Sequence, residues 1–434
     1  MFSHRGFVAL GVVVAVSVGL IGLRLWTARS ELPPDVVLIS LDTVRADRVS
    51  ALFGAELGRD TTPNLARVPG TRFRNCWAHA PYTAASHASL LSGQYVSAVH
   101  YGVTKRYFAA ADRVLPEILQ DAGYYTAAIT AGGFMGKRWG PARGFDHFEE
   151  AANWEVGDEV GLTSRWLERW GRKPFAQRGA PPLFLFVHTF LAHQPYLSDR
   201  WGDKMLDRYD ADIREADRIV GLVWDAMERM KARRTRSFIM VVVADHGEEM
   251  GEHKRWGMHA KTLYREVLHV PCVFAEPGRP NRMVDDRVAL IDVVPTILNR
   301  LGLSVPAAVD GVSLLPLIEH GSWDQPSRII YSMRHMPPEH MGYRATGDEG
   351  SYVEDIQMAP AYFMPDDETE RQNVWSATNP VQNRLAEATH EFRARWAGTT
   401  SAPEPAYDPT TRARLEALGY VFGQAPSELG PIEK

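Results

Sequence analysis

Five short apolar runs recur between residues 36 and 275, and amphipathic stretches separate them. The runs are 36–41 (VVLISL), 126–130 (TAAIT), 183–187 (LFLFV), 238–244 (FIMVVVA) and 270–275 (VPCVFA). Apolar runs of this length, alternating with helical patterns, are typical of buried strands in a largely parallel sheet. We therefore expect an α/β fold.

The stretches between these runs predict helices at 86–92, 113–121, 209–230 and 292–301. In the 209–230 stretch the apolar residues are spaced as on one face of a helix, so we expect that face to pack on the sheet. Beyond about residue 305 the alternation weakens, and Pro, Gly and charged residues become more frequent. This change predicts a main domain over 34–320 and a smaller carboxy-terminal subdomain or extension over 321–434.

Composition excludes several classes of protein. The chain has 434 residues, of which 45% are hydrophobic and 23% charged, so a disordered or fibrous protein is excluded. The formal net charge is -5 and there is no Lys- or Arg-rich run, which argues against a nucleic-acid partner. Two cysteines, Cys76 and Cys272, are too few for a disulfide framework or a cysteine-based zinc site.

Residues 7–23 form an apolar run that follows Arg5. This run is at the lower limit for a membrane-spanning helix and is longer than the usual apolar core of a signal peptide. We expect residues 1–30 to be an uncleaved membrane anchor, with a cleaved signal peptide or a buried core helix as the alternatives. With an anchor or a signal peptide, the folded part would lie outside the cytoplasm, either membrane-anchored or exported.

Polar residues directly follow three of the apolar runs. Asp42 follows the first run, His188 the third, and Asp245 and His246 the fourth. Ligands of open parallel sheets bind beyond the carboxyl ends of the strands, so these side chains are candidates for one site. A single Asp after a strand is more often a turn or cap residue. Two carboxylates and an imidazole together, however, suit a divalent cation such as zinc, manganese, magnesium or calcium.

The segment 81–93 (PYTAASHASLLSG) is a second candidate for a functional site. Thr83 and Ser86 stand at the start of the predicted helix 86–92. Their hydroxyls would lie near free backbone N–H groups, which stabilise a developing anion. The alternative is that one of these hydroxyls only caps the helix.

These segments together resemble the sulfatase family of the alkaline-phosphatase-like superfamily, from about Val36 to about Leu317. TAASHASLLSG matches the spacing of the family signature C-x-P-S-R-x-x-L-x-T-G and places Thr83 at the nucleophile position. The other resembling segments are VVLISLDTVRAD with TTPNL, HTFLAHQPY, VVVADHGEEMGEH, HAKTLY and DVVPTILNRLGLSVPAAVDGVSLLPL, with LEALGYV near the end. The resemblance implies an alkaline-phosphatase-like three-layer sandwich with a central, mostly parallel sheet and a smaller carboxy-terminal subdomain.

The sequence departs from sulfatases proper in ways that bear on the chemistry. Thr83 cannot be converted to the formylglycine that those enzymes make from Cys or Ser. Ala85 and His87 replace the signature Pro and Arg, and Thr43 replaces the second of two adjacent aspartates. TAGGF follows Ile129 in place of the family's G-K-W-H-L-G segment. These departures resemble the Thr-nucleophile branch, which includes phosphoethanolamine and phosphoglycerol transferases and some phosphodiesterases.

The resemblance to this branch implies a set of site residues. A divalent metal ion, zinc or manganese with calcium or magnesium as alternatives, would be bound by Asp42, Thr83, Asp245 and His246. Coordination favours the alkoxide of the Thr hydroxyl, which would attack phosphorus or sulfur and form a covalent intermediate. His193 and His259 would hold the substrate's oxygens or protonate the leaving group. Further candidates for substrate binding, each also explicable as a hydrogen-bonded neighbour of the site, are His87, His188 and His253.

The sequence therefore predicts a membrane-anchored or exported metal-dependent hydrolase that cleaves a phosphate ester or a sulfate ester. Its substrate would be an anionic ester, such as a phosphorylated or sulfated small molecule, lipid or glycan. A transferase that moves a phospho group to a glycan or lipid hydroxyl shares the first half-reaction and is the first alternative. A non-catalytic protein that binds an anion or glycan on the same fold is the second, although the complete metal-ligand set counts against it.

Overall fold

The computed structural model describes residues 32–95, 113–151, 159–172, 177, 179–323, 325, 328–336, 340–355 and 358–395. The predicted anchor or signal peptide over 1–30 and the LEALGYV segment at 415–421 lie outside these residues. Within the described part of the chain, no helix is both long enough and apolar enough to span a membrane.

A large sheet forms the centre of the molecule, and a second sheet follows it in the chain. In chain order the strands are β1 (Asp35–Leu41), β2 (Gly70–Trp77), β3 (Tyr125–Thr130), β4 (His147–Glu150), β5 (Leu183–Thr189), β6 (Phe238–Val243), β7 (Glu249–Met250), β8 (Trp256–Met258), β9 (His269–Ala275), β10 (Arg282–Val284), β11 (Val288–Ala289), β12 (Ile330–Met336), β13 (His340–Gly347), β14 (Gly350–Asp355) and β15 (Met358–Phe363).

The central sheet has the order β10-β2-β9-β6-β1-β5-β3-β4, with β11 also paired to β2. Strand β1 lies in the middle and runs parallel to β5 on one side and β6 on the other. Strand β9 runs antiparallel to both of its neighbours, β6 and β2. The predicted mostly parallel α/β sheet is confirmed.

All five predicted strands are present, whereas β2, β4, β10 and β11 of the central sheet were not predicted. The sequence of β2, GTRFRNCW, contains charged and polar residues. Arg72 in this strand is buried, and its guanidinium donates to the carbonyl oxygens of Leu65, Ala66 and Val68. These hydrogen bonds compensate for the burial of a charge. A strand whose buried side chains include a hydrogen-bonded arginine has no purely apolar signature.

The helices are α1 (Ser50–Phe53), α2 (Pro63–Arg67), α3 (Thr83–Ser92), α4 (Leu115–Asp121), α5 (Glu159–Trp170), α6 (Met205–Arg234), α7 (Arg265–Leu268), α8 (Val293–Arg300), α9 (Leu315–His320) and α10 (Pro380–Ala394). Short 3-10 turns lie at Ala46–Arg48, Gly54–Leu57, Gly133–Met135, Lys137–Trp139 and Leu290–Asp292. Helix α6 contacts α2 and α5, whereas α3 contacts α4 and α8. Two separate groups of helices are expected when a parallel sheet is covered on both faces.

Strands β12 to β15 form a separate antiparallel sheet in that order, and α10 packs on β13 and β14. Hydrogen bonds join β12 to the main body, from Ser332 Oγ to the carbonyl oxygen of Ala78 at 2.6 Å and from the Met333 N–H to that of His79 at 2.8 Å. The predicted weakening of the strand and helix alternation beyond residue 305 thus corresponds to a change of sheet type. The domain boundary at 320/321 stays a prediction.

Candidate active site

The carboxyl ends of β1 and β6 bring three predicted metal ligands together. Asp42 follows β1, and Asp245 and His246 follow β6. Because these strands are parallel neighbours, residues far apart in sequence meet at one edge of the sheet. Ligand atoms of the three residues all lie within 4.8 Å of one another, and all three side chains are fully buried. This group could hold a metal ion.

Thr83 is the first residue of α3, which begins three residues earlier than predicted. Its Oγ1 lies 3.4 Å from Asp42 Oδ2 and 3.3 Å from His246 Nε2. Tyr82 occupies the cap position, and no side chain caps the helix, so the capping alternative for Thr83 and Ser86 is wrong. Ser86 instead donates its hydroxyl to the carbonyl oxygen of Asp245 at 2.6 Å, which ties α3 to the end of β6.

The residues at this edge fit a divalent cation. Asp42 Oδ1 and Asp245 Oδ2 are buried, and neither oxygen has a hydrogen-bond partner among the residues that the structure describes. Leaving two carboxylate oxygens in this state is costly without a cation. His246 Nε2 lies 3.7 Å from Asp42 Oδ1 and 3.4 Å from Asp245 Oδ2. Ligands at the corners of a zinc tetrahedron with bonds of about 2.0 Å are about 3.3 Å apart, close to these separations.

Burial controls the charge of these groups. Burial and the neighbouring Asp42 raise the pKa of Asp245 to about 7, and burial also raises the pKa of Asp42. Burial lowers the pKa of His246 to about 4, so the imidazole is neutral near pH 7. His246 Nδ1 donates a hydrogen bond to the carbonyl oxygen of Gly247 at 2.9 Å. The Nε2 lone pair therefore points at the carboxylates, as required of a metal ligand.

His188 and His87 lie next to the two candidate carboxylate ligands, Asp42 and Asp245. In the parallel pairing of β5 with β1, His188 lies beside Ser40. Its Nε2 is 3.0 Å from Asp42 Oδ2. His87 donates from Nδ1 to the carbonyl oxygen of Thr83 at 2.8 Å, and its Nε2 accepts from Ser40 Oγ at 2.8 Å. Both rings are buried, and burial lowers both pKa values to about 4. The two histidines therefore contact groups that would bind the metal.

His193 and His259 lie on another side of His246. The His259 ring is 4.5 Å from the His246 ring and 5.1 Å from the His193 ring, measured between centroids. Burial lowers the pKa of His259 to about 3 and also lowers that of His193. The structure thus gathers both predicted catalytic histidines beside the candidate ligands.

Glu248 is a site residue that the sequence interpretation missed. Its Oε1 lies 3.0 Å from His259 Nδ1, and its Oε2 accepts the Tyr196 hydroxyl at 3.0 Å. The carboxylate is fully buried and fixes the orientation of the His259 ring. Its position two residues after His246 was the available signal, but neither periodicity nor spacing distinguishes it from the neighbouring Glu249.

Thr43, which stands in place of the second aspartate of the sulfatase pattern, lies in the turn after β1. It adopts a left-handed backbone conformation with φ of 61°, which is rare for a β-branched residue. Its hydroxyl donates to the carbonyl oxygens of Asp42 and Ala192, at 2.7 and 2.9 Å, and its N–H donates to Asp245 Oδ1 at 3.4 Å. These bonds hold the turn after β1 against the ends of the neighbouring strands.

His253 has different surroundings from the other predicted site histidines. Its Nδ1 lies 2.7 Å from Glu266 Oε1, its Nε2 lies 3.1 Å from the carbonyl oxygen of Glu370, and its ring stacks on Tyr264 at 3.6 Å. These partners belong to the junction with the carboxy-terminal sheet. The predicted substrate-binding role of His253 stays a prediction, and this geometry lends it no support.

A mostly parallel sheet with a buried Thr-Asp-Asp-His cluster beyond its strand ends defines a protein of the alkaline-phosphatase-like class. The family model described as Sulfatase matches residues 34–303, and the model described as N-sulphoglucosamine sulphohydrolase, C-terminal, matches residues 251–395. The chain belongs to the sulfatase family.

Two curated relatives show how far the sequence similarity extends. Arylsulfatase K of Canis lupus familiaris is 30% identical over 118 residues, which cover 27% of this chain and 21% of that protein. The match thus spans about a fifth of that relative. N-acetylgalactosamine-6-sulfatase of the same species is 25% identical over 356 residues, which cover 67% of this chain and 66% of that protein.

Solved structures share the fold at lower sequence identity. A protein solved in complex with its substrate, D-glucosamine-2-N,6-O-disulfate, has a TM-score of 0.66 at 15% identity and covers 85% of this chain and 99% of its own. A phosphonate monoester hydrolase from Silicibacter pomeroyi has a TM-score of 0.65 at 17% identity and covers 85% of this chain and 96% of its own. The predicted alkaline-phosphatase-like fold is confirmed.

Proposed function

We propose that this chain is a metal-dependent hydrolase that cleaves a phosphate or sulfate ester with Thr83 as the nucleophile. The observation that carries the proposal is the position of Thr83 Oγ1, within 3.4 Å of Asp42 and 3.3 Å of His246 at the start of α3. A residue that only capped the helix would have no reason to be buried against two candidate metal ligands.

Asp42, Thr83, Asp245 and His246 would hold a divalent cation, with zinc or manganese favoured, and the cation would lower the pKa of the hydroxyl and neutralise the anionic substrate. Thr83 Oγ then forms a bond to phosphorus or sulfur while the ester bond to the leaving oxygen breaks. The leaving oxygen takes up a proton, which balances the proton lost from the Thr83 hydroxyl. Water later hydrolyses the ester on Thr83, which restores the hydroxyl and releases the phosphate or sulfate. The proposal thus contains one covalent enzyme intermediate.

His193 and His259 are proposed to serve the leaving group and the non-bridging oxygens. Without substrate, burial keeps His259 neutral. An anionic ester beside the ring would favour its protonated form, and the Glu248 carboxylate at Nδ1 would stabilise that form further. His87 and His188 are proposed as positioning residues, since their contacts are with Thr83 and Asp42.

The substrate class stays at the level of an anionic ester. Names of related proteins point to sulfated amino sugars in two cases and to a phosphonate monoester in a third. A Thr at position 83 favours a phosphate ester, because the aldehyde-forming Cys or Ser of sulfatases proper is missing. Transfer of the same phospho group to a glycan or lipid hydroxyl is the second candidate, and an anchored or exported location remains part of the proposal.

The test measures turnover by the full-length chain on a panel of aryl phosphate monoesters, phosphodiesters, phosphonate monoesters and sulfates. The protein is first treated with a chelator, and single metals are then added back one at a time. Thr83→Ala should abolish turnover of the best substrate, and Thr83→Ser should retain part of it. Thr369→Ala, an exposed Thr on the carboxy-terminal side, is the matched control and should leave turnover unchanged.

A phosphorylated or sulfated peptide containing Thr83, trapped by acid quench, would support the covalent intermediate. Turnover that survives Thr83→Ala removes Thr83 from the mechanism. Activity that is unaffected by chelation removes the cation. Product formed only when an alcohol acceptor is added favours the transferase.

A further inference from the structure

Helices α5 and α6 line an open cavity of about 330 Å³. Its apolar lining includes Leu167 from α5 and Met230 from α6, both nearly buried. Three arginines also line it, Arg172 just beyond the end of α5, and Arg229 and Arg233 in the last turns of α6. We call this cavity the arginine pocket.

The three arginines form a local excess of positive charge. All three are exposed, and none has a carboxylate within 4.0 Å in the part of the chain that the structure describes. Other exposed arginines of the same two helices are paired, Arg169 with Glu149 and Arg218 with Glu215, both at 2.6 Å. Glu168 is the acidic residue that lines the pocket. Three arginines and apolar side chains in one lining suit an anion that carries an apolar group.

The arginine pocket lies at the amino-terminal edge of the central sheet. Arg234, next to Arg233, pairs at 2.7 Å with Asp35, the first residue of β1. Arg236 donates to the carbonyl oxygen of Pro33. Asp42 and Asp245 lie at the opposite, carboxyl ends of the strands. Pro33 and Asp35 therefore lie at the same end of the sheet as the arginine pocket, and the candidate active site lies at the opposite end.

The apolar run 7–23 is separated from the fold by residues 24–32. Nine residues span at most about 30 Å. If the run is inserted in a membrane, as the sequence predicts, the amino-terminal edge of the sheet is held close to the membrane surface. The neighbouring arginines would then meet lipid headgroups, where each basic residue strengthens attachment to anionic lipid.

We propose that the arginine pocket binds the phosphodiester headgroup of an anionic phospholipid. The guanidinium groups of Arg172, Arg229 and Arg233 would hold the phosphate, and Leu167 and Met230 would contact the glycerol backbone. Binding in this way directs the candidate active site away from the membrane. Arginines near helix carboxyl ends also stabilise those helices, so the test must separate lipid binding from stability.

The test uses the full-length chain carrying Val13→Asp and Val16→Asp, which weaken insertion of the apolar run so that surface binding can be measured. Flotation is compared on vesicles of phosphatidylcholine alone and of phosphatidylcholine with phosphatidylglycerol, at low and high salt. Arg172→Ala, Arg229→Ala and Arg233→Ala are combined in one variant. The control combines three exposed, ion-paired arginines elsewhere, with the same change of net charge: Arg67→Ala, Arg218→Ala and Arg384→Ala.

The pocket variant should lose affinity for phosphatidylglycerol vesicles by roughly 5-fold per arginine, on the order of 100-fold in all, whereas the control variant stays within about 5-fold of the parent. Ester hydrolysis and melting temperature of the pocket variant should remain close to those of the parent. The proposal would be overturned if the pocket and control variants lost the same affinity for phosphatidylglycerol vesicles. It would also be overturned if the parent bound vesicles of phosphatidylcholine alone as tightly as those containing phosphatidylglycerol. Binding of millimolar inorganic phosphate to the parent protein together with no binding to vesicles would likewise overturn it, because the pocket would then hold a free anion.

Discussion

Asp245→Asn tests whether the buried carboxylates are built around a cation. In the present geometry Asp245 Oδ1 accepts from the His246 N–H at 2.9 Å and from the Thr43 N–H at 3.4 Å, and an amide oxygen keeps both bonds. Asp245 Oδ2 lies 3.4 Å from His246 Nε2, which is an acceptor. An amide nitrogen at this position can donate to that acceptor. The substitution therefore removes a buried charge and keeps a hydrogen-bond partner for both terminal atoms of the side chain.

The expected sign of the stability change depends on the cation. Burial and the neighbouring Asp42 raise the pKa of Asp245 from 3.8 to about 7, so ionisation at pH 8 costs the metal-free protein roughly 4 kcal/mol relative to the unfolded chain. A raised carboxyl pKa means that stability is complete below pH 3.8 and is lost as the pH rises to about 7. In chelator at pH 8, Asp245→Asn should therefore be more stable than the parent.

A bound cation reverses this order. With free cation at 100 times its dissociation constant, the parent gains about 2.7 kcal/mol, whereas a variant that has lost one ligand gains far less. Differential scanning calorimetry at pH 8, in chelator and then in excess zinc or manganese, measures both arms. We expect the two melting temperatures to cross, with shifts of a few degrees in each direction. Asp285→Asn, at an exposed surface ion pair, is the control and should shift little in either condition.

Two results would refute this reasoning. If Asp245→Asn is destabilised by the same amount with and without cation, the carboxylate is a structural hydrogen-bond acceptor and not a ligand. If no cation among zinc, manganese, calcium and magnesium raises the melting temperature of the parent, the clustered carboxylates do not form a metal site.

Three further predictions follow from individual contacts. Glu248→Gln should lower kcat more than it changes KM and should shift the pH profile of kcat, because the buried carboxylate at His259 Nδ1 is lost; an unchanged profile contradicts the proposed role. Arg344→Leu should lower the free energy of unfolding by about 3 to 5 kcal/mol in denaturant titration. The reason is that Glu370 stays buried but loses its two hydrogen bonds from the guanidinium, at 2.7 and 2.6 Å. A loss below about 1 kcal/mol would contradict this. Gly247→Ala should give little folded protein on expression, because a methyl group there collides with a backbone carbonyl oxygen of α7; normal yield and activity would show that this turn can shift.

Much of the site follows from local sequence because strand ends in a parallel sheet are predictable. An apolar run marks a buried strand, and the polar residue that ends it marks the edge where ligands bind. Asp42, Asp245 and His246 could be selected on this basis, and the structure brings them within 4.8 Å of one another. The start of α3 was predicted less well, because three small residues from Thr83 onward carry no helical periodicity.

The tertiary structure decided what depends on contacts between distant segments. The antiparallel direction of β9 and the presence of β2 are set by pairing across the sheet, which no local period encodes. His253 and His259 are six residues apart and equally plausible by composition, yet one joins the carboxy-terminal sheet and the other lies beside His246. Glu248 became recognisable only when its partners Tyr196 and His259 were in place. Local sequence thus determined which residues stand at strand ends, whereas packing decided which of the remaining polar side chains face the site, because burial of a polar group requires a partner from another part of the chain.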